Sequence, residues 1–284
     1  MKHLNTKIKT VGIVLTSLLL FNCNTTKKEE DNAQNITAEE GKENGAKGKT
    51  LMAVFAHPDD ELTVAPILAK YVQEGAKVHL VIATDGRYGT RDGAFEPGEE
   101  LMAMRREEMQ CSANTMGVEL IHLDYHDQLR SAEGYDGHIP HVRSLIKEIH
   151  GLVDKIKPDA IITFGPEGWS NHMDHRLVGA TVTQVFVSKV WDKPSNLYYV
   201  GTPSDKVEDL ERKIIRGQDR NYLTTRVTYT DEQKALAYNA LACHVSQFGE
   251  DALDRIREYR KKEENVVYLR KFVAPPSDIE DSLF

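Results

Sequence analysis

Residues 51–56 read Leu-Met-Ala-Val-Phe-Ala, six apolar residues without interruption, and lead directly into His57-Pro58-Asp59-Asp60-Glu61. A strand with one wet face alternates apolar and polar residues, so an unbroken run means burial on both faces, as in a parallel sheet covered by helices. The unit recurs. Residues 77–83, 119–123, 159–164 and 196–200 have strand character, and 62–75, 98–116, 140–156 and 173–190 between them have the length and pattern of helices. Alternation of this kind predicts an α/β fold, a Rossmann-like and mostly parallel sheet with helices on both faces. Ligands of such sheets collect outside the carboxyl ends of the strands, where the strand order reverses. Polar clusters follow three of those ends.

The first 49 residues are of another kind. Lys2, Lys7 and Lys9 precede an uncharged, mostly apolar run at 11–21, too short for a comfortable membrane span, which reads as a secretory signal ending at Cys23. A cysteine in that position resembles a bacterial lipoprotein cleavage site, although Asn22 stands where a small residue is usual. The resemblance implies an acylated Cys23 and an exported, membrane-anchored lipoprotein of the cell envelope. Residues 24–49 have Ile36 as their only large apolar residue and cannot bury enough surface to offset their ordering entropy. The expected organisation is therefore a signal peptide at 1–22, a disordered tether at 23–49 and one folded domain at 50–284.

The formal charge is -8, and losing residues 1–22 removes three lysines and no acids. This acidity excludes a nucleic-acid binder, which needs a basic face to neutralise phosphates. Cys111 and Cys243 fall within helix-like patterns and are expected as buried free thiols.

His57 and Asp60 leave the first strand three residues apart, so one tight turn can aim both at a point. His172-Met173-Asp174-His175 lies just beyond the fourth strand. Two imidazoles and a carboxylate suit Zn²⁺, and a catalytic zinc site takes three protein ligands and keeps the fourth position for water. Fe²⁺ or another divalent ion is accepted by the same donors.

The motif at 56–61, paired with His172-x-Asp174-His175, resembles the PIG-L family of zinc deacetylases, also called LmbE-like proteins. The likeness spans about 50–249. Thr84-Asp85-Gly86 with Gly89, Arg105 with Glu108, and His244-x-Ser246-Gln247 agree with it, whereas Arg87 stands where Glu is common in the family. The resemblance implies removal of an N-acetyl group from an amino sugar, such as an N-acetylglucosamine derivative. It implies His57, Asp60 and His175 as metal ligands and Asp59 as the general base toward a water activated by the ion. His172 is implied as oxyanion stabiliser and general acid, with Asp174 hydrogen-bonded to its other nitrogen and raising its pKa. A fourth-ligand role for His172 competes with that assignment. Arg87, Arg105, Asp127 and His244 are candidate substrate contacts.

Two other classes fit these residues less well. A dinucleotide-binding oxidoreductase needs glycines where the first strand meets its helix, and His-Pro-Asp-Asp-Glu stands there instead. A non-catalytic glycan-binding module on the same fold has no need of Asp59 or His172. The sequence leaves the sugar, its aglycone, the acyl length, the native metal and the oligomeric state undetermined.

Overall fold

The computed structural model describes residues 45–91, 93–194, 196–207 and 215–273. The expected signal peptide, Cys23 and most of the expected tether lie outside the described residues. The tether's last residues do not. Gly45 to Gly48 form a turn in which Ala46 is 6% exposed, so the folded part begins a few residues before Thr50.

The strands are β1 (Thr50–Phe55), β2 (Lys77–Thr84), β3 (Glu119–Tyr125), β4 (Ala160–Thr163), β5 (Asn196–Pro203), β6 (Gly217–Gln218), β7 (Thr225–Thr228) and β8 (Val266–Lys271). The helices are α1 (Ala65–Gln73), α2 (Glu99–Met116), α3 (Gly134–Ile156), α4 (Met173–Val187), α5 (Asp231–Ala242) and α6 (Glu250–Arg260). The sheet order is β3-β2-β1-β4-β5-β8-β7, with β6 added beside the end of β5. Strands β1 to β5 pair in parallel. The pair β7–β8 joins antiparallel, which the sequence pattern did not show.

Side chains of β1 alternate between two cores, because successive residues of a strand point to opposite faces. Leu51, Ala53 and Phe55 pack with Ile67 and Leu68 of α1, Met109 of α2 and Leu241 near the end of α5. Met52, Val54 and Ala56 pack with Leu145 and Ile149 of α3 and Val178 and Val182 of α4. Both faces are dry, which is why the run tolerates no polar residue.

The chain steps from β1 outward to β3, then returns to place β4 on the other side of β1. That reversal opens a crevice between the carboxyl ends of β1 and β4. The two polar motifs lie at these ends.

The expectation of two free thiols is corrected: Cys111 of α2 and Cys243, just past α5, form a disulfide, with Cα atoms 5.8 Å apart. Helices α2 and α5 pack on the same face of the sheet, and this brings together residues 132 positions apart. Local periodicity carries no information about such a distance.

Candidate metal centre

Immediately after β1 the backbone N–H groups of Ala56 and His57 both donate to Asp60 Oδ2, at 3.1 and 2.8 Å. The carboxylate closes its own turn with one oxygen and presents the other, Oδ1, 3.0 Å from His175 Nε2. Between them Asp59 sits at φ 100°, ψ -18°, a conformation L side chains rarely adopt. Such a residue costs about 1–3 kcal/mol and persists only where its surroundings over-determine it.

Glu61 supplies the restraint. It is fully buried, and its Oε2 accepts the Asp59 N–H at 2.9 Å. Its Oε1 accepts from Ser112 Oγ at 2.6 Å and contacts His244 Nε2 at 2.7 Å. Arg105, Glu108 and Ser112 follow one another at helical spacing, so α2 turns one polar stripe inward. Arg105 donates to the carbonyls of Pro58 and Gly86 and lies 3.3 Å from Asp59 Oδ2. Glu108 accepts from the N–H and hydroxyl of Ser246, each at 2.6 Å. The Arg105 side chain passes where Gly89 has no Cβ; one built there meets its Nη1 at 1.9 Å.

The second motif starts α4. His172 is the N-cap, and its Nδ1 accepts the Asp174 N–H at 3.2 Å. His175 follows within the first turn, stacked on Phe164 with ring centroids 4.3 Å apart. Its Nδ1 lies 3.1 Å from the carbonyl of Gly168, which only accepts, so Nδ1 carries the proton and Nε2 keeps a lone pair for the site. One turn further on, a Cβ at Gly179 would meet the carbonyl oxygen of Phe164 at 2.3 Å. The missing side chain lets α4 approach the end of β4.

The motifs meet at His57. Its Nδ1 is 3.3 Å from His175 Nε2 and 3.5 Å from Asp60 Oδ2. Its Nε2 is 3.2 Å from Asp174 Oδ2 and 3.3 Å from Asp127 Oδ1, so two carboxylates orient the ring from behind. His172 brings a ring nitrogen within 4.8 Å of those of His57 and His175. The trio His57, Asp60 and His175 shares these close approaches, and two groups of side chains place single ligand atoms within 4.8 Å of one another, His57 with His172 and His175 and His57 with Asp127 and Asp174.

The electrostatics call for a cation. Burial opposes charge on His57, but Asp127, Asp174 and Asp60 outweigh it and hold the imidazolium well above the usual range. Burial also opposes ionisation of Asp60, and the neighbouring His175 and His57 overcome it, keeping that carboxyl well below its ordinary value. Asp59 differs. Burial raises it to about 6, with Arg105 opposing and the charges of Asp60 and Glu61 adding. Among the described residues no lysine or arginine pairs with Asp60, Asp127 or Asp174, and Asp174 Oδ1 is buried without a hydrogen-bond partner. Two nitrogens and a carboxylate oxygen, converging among further carboxylates, fit a divalent ion such as Zn²⁺ or Fe²⁺.

Four expectations change. The Asp174 carboxylate holds His57 and accepts the Gln128 N–H at 2.8 Å, rather than holding His172. Burial and the nearby His57 and His175 then lower the pKa of His172 instead of raising it. Its neutral ring accepts at Nδ1 and donates from Nε2. Arg87 is turned away from the site, paired with Asp85 at 2.7 Å and Glu99 at 2.7 Å. His244 is fully buried behind Glu61, so it braces the loop rather than touching substrate. Asp59, Arg105, Asp127 and His172 do line a cavity of about 600 Å³ that opens over the trio. Sequence reasoning missed the roles of Glu61 and Ser112. The available signal was a polar residue at position 112, in register with buried Met109, Ala113 and Met116.

The structure thus defines an α/β domain with a buried His/Asp centre at the switch point of its sheet. Residues 52–186 of this chain match the family described as PIG-L, GlcNAc-PI de-N-acetylase. Among its relatives is a diacetylchitobiose deacetylase of Thermococcus kodakarensis, 27% identical over 222 residues, covering 74% of each chain. Another is a 1D-myo-inositol 2-acetamido-2-deoxy-alpha-D-glucopyranoside deacetylase of Mycobacteroides abscessus, 29% identical over 176 residues, 56% of this chain and 63% of that one. The chain spans from about half to three quarters of the length of the curated relatives it matches. A solved N,N'-diacetylchitobiose deacetylase from Pyrococcus horikoshii shares the fold with a TM-score of 0.57 at 20% identity, over 79% of this chain and 84% of that one. A 4-carboxy-2-hydroxymuconate hydratase from Pseudomonas putida KT2440 does so equally, at 0.57 and 14%, over 82% and 99%. Fold alone therefore does not decide the reaction.

Proposed function

We propose that this protein is a metal-dependent N-deacetylase, hydrolysing the acetamide of an amino sugar such as an N-acetylglucosamine derivative. The observation that carries the reading is the convergence of His57 Nδ1, Asp60 and His175 Nε2 beside a carboxyl, Asp59, that the trio does not employ. The relatives' activities support the same reaction class.

His57, Asp60 and His175 would hold a divalent cation, which when bound would supply Lewis-acid polarisation of the amide carbonyl and acidification of water. Asp59 takes the proton of the attacking water. Its pKa of about 6 suits the task, since the group is ionised at neutral pH yet basic enough to accept. His172 donates its Nε2–H to the oxyanion as the carbonyl carbon becomes tetrahedral. The amine must leave protonated, and Asp59, now the acid, returns the proton. Asp127 and Asp174 hold the His57 ring in place throughout.

The test is acetate release from N-acetylglucosamine glycosides by the purified, zinc- or iron-loaded chain. Asp59→Ala lowers turnover by about 10²–10⁴-fold while metal content stays constant. Metal-loaded protein that binds such glycosides but releases no acetate sinks the reading in favour of a glycan-binding module.

We also propose that the chain acts outside the cytoplasm, anchored through Cys23. The leader-like pattern of 1–22 supports this, as does the Cys111–Cys243 disulfide, since such bonds persist in oxidising compartments. Cys23→Ser moves the protein from the membrane to the soluble fraction; unchanged fractionation refutes the anchor.

A further inference from the structure

The cavity over the trio continues along an apolar wall that includes Leu62, Trp169, Leu241, Phe248 and Ile256, and Arg260 lines it too. The metal-facing residues line this cavity alone. Arg260, the last residue of α6, also lines two adjoining recesses, one with Tyr229 and Glu263 and one with Tyr238 and Arg257. It therefore stands at a margin of the cavity, beyond the apolar wall.

Its surroundings are unusual for an arginine. Arg105 has Asp59, Arg87 has Asp85, and Arg270 has Glu167, but no carboxylate pairs with Arg260 among the described residues. Burial lowers its pKa, opposed by the more distant charges of Tyr229 and Glu263. A guanidinium stays ionised under these conditions, and a partly desolvated, unpaired cation is costly. A helix-terminal arginine that served only the helix dipole would gain nothing from burial in a cavity.

We propose that Arg260 binds an anionic group, carboxylate or phosphate, on the aglycone of the amino sugar, joined to the sugar by a segment that packs on the apolar wall. This deepens the deacetylase reading and rests on it. An Arg–oxyanion pair in a partly buried site changes affinity on the order of tenfold or more. Arg260 is thus a specificity-determining residue.

The test uses three matched substrates, the phenyl, 4-carboxyphenyl and 4-phosphonooxyphenyl β-glycosides of N-acetylglucosamine, with the metal-loaded full chain. The expected result is a kcat/KM for one or both anionic glycosides at least tenfold above that of the phenyl glycoside, expressed mainly in KM. Whichever anion gains more identifies the source. In Arg260→Gln that preference falls to about unity, and Arg260→Lys restores part of it. No preference in the wild type, or one that survives Arg260→Gln, overturns the proposal. If no glycoside releases acetate, the deacetylase reading fails, and calorimetric binding of the same three compounds to wild type and Arg260→Gln still decides the role of Arg260.

Discussion

The two ends of the cavity are built on opposite plans. At the β1–β4 end the polar side chains of the two motifs are braced: Asp60 by the backbone of its own turn, His57 by two carboxylates, His175 by a carbonyl, Glu61 by a serine and a histidine. At the α6 end the wall is apolar, and among the described residues no carboxylate pairs with its arginine. The difference separates chemistry from recognition. Groups that act on a transition state are best fixed in advance, because reorganising them during reaction costs rate. A group that identifies a substrate gains discrimination by staying unsatisfied until the right partner arrives.

Breaking the braced end at its ligands has the largest effect. His175→Ala removes the ring nitrogen nearest Asp60, and metal analysis should show occupancy and turnover lost together. Retention of a full equivalent of metal would hand the ligand role to His172. Glu61→Gln is next. It leaves the trio intact but weakens acceptance of the Asp59 N–H, and kcat should fall about 10–100-fold with metal content unchanged. Normal kcat in both the Gln and the Ala variants would show that Asp59 needs no brace.

The disulfide probes the same brace from outside. Its cysteines adjoin Ser112 and His244, the two side chains that meet Glu61 Oε1. Replacing both cysteines with serine should lower stability by about 2–4 kcal/mol, read from denaturant unfolding, and the chain should then inactivate at a lower temperature.

A smaller effect runs in the opposite direction. The Asp59 carboxyl rises from 3.8 unfolded to about 6 folded, so as the pH climbs between these values the unfolded chain ionises it first and the fold is progressively penalised. The penalty is absent below about pH 4 and complete above the folded value. Asp59→Asn, which tolerates the positive φ, should stabilise chelator-treated protein at pH 7 by up to about 3 kcal/mol and show no gain at pH 4. Destabilisation at both pH values would mean that the Arg105 contact outweighs burial.

Much of this was written locally. The dry runs of β1, β2 and β4 announce a two-sided parallel sheet, and the polar residues just past them mark where a site can form. What the sequence concealed is angular and long-range. Whether Asp174 turns to His172 or to His57 depends on the N-cap geometry of α4, since the backbone N–H of Asp174 already occupies His172 Nδ1. The pairing of Cys111 with Cys243 and the burial of His244 behind Glu61 follow from how α2 and α5 pack on one face. Arg260 was invisible for a related reason: a charged residue at the end of an amphipathic helix has the same sequence pattern whether it meets solvent or a cavity.

Gly179 shows how finely the ion's seat is cut. The hydrogen that stands in for its side chain sets how near α4 lies to β4, and His175 is carried on that helix one turn away. Adding one carbon would push the imidazole outward by tenths of an ångström, about the tolerance of a metal–nitrogen bond. The spacing of His175 from His57 and Asp60 is thereby gauged by an atom that lies outside the trio.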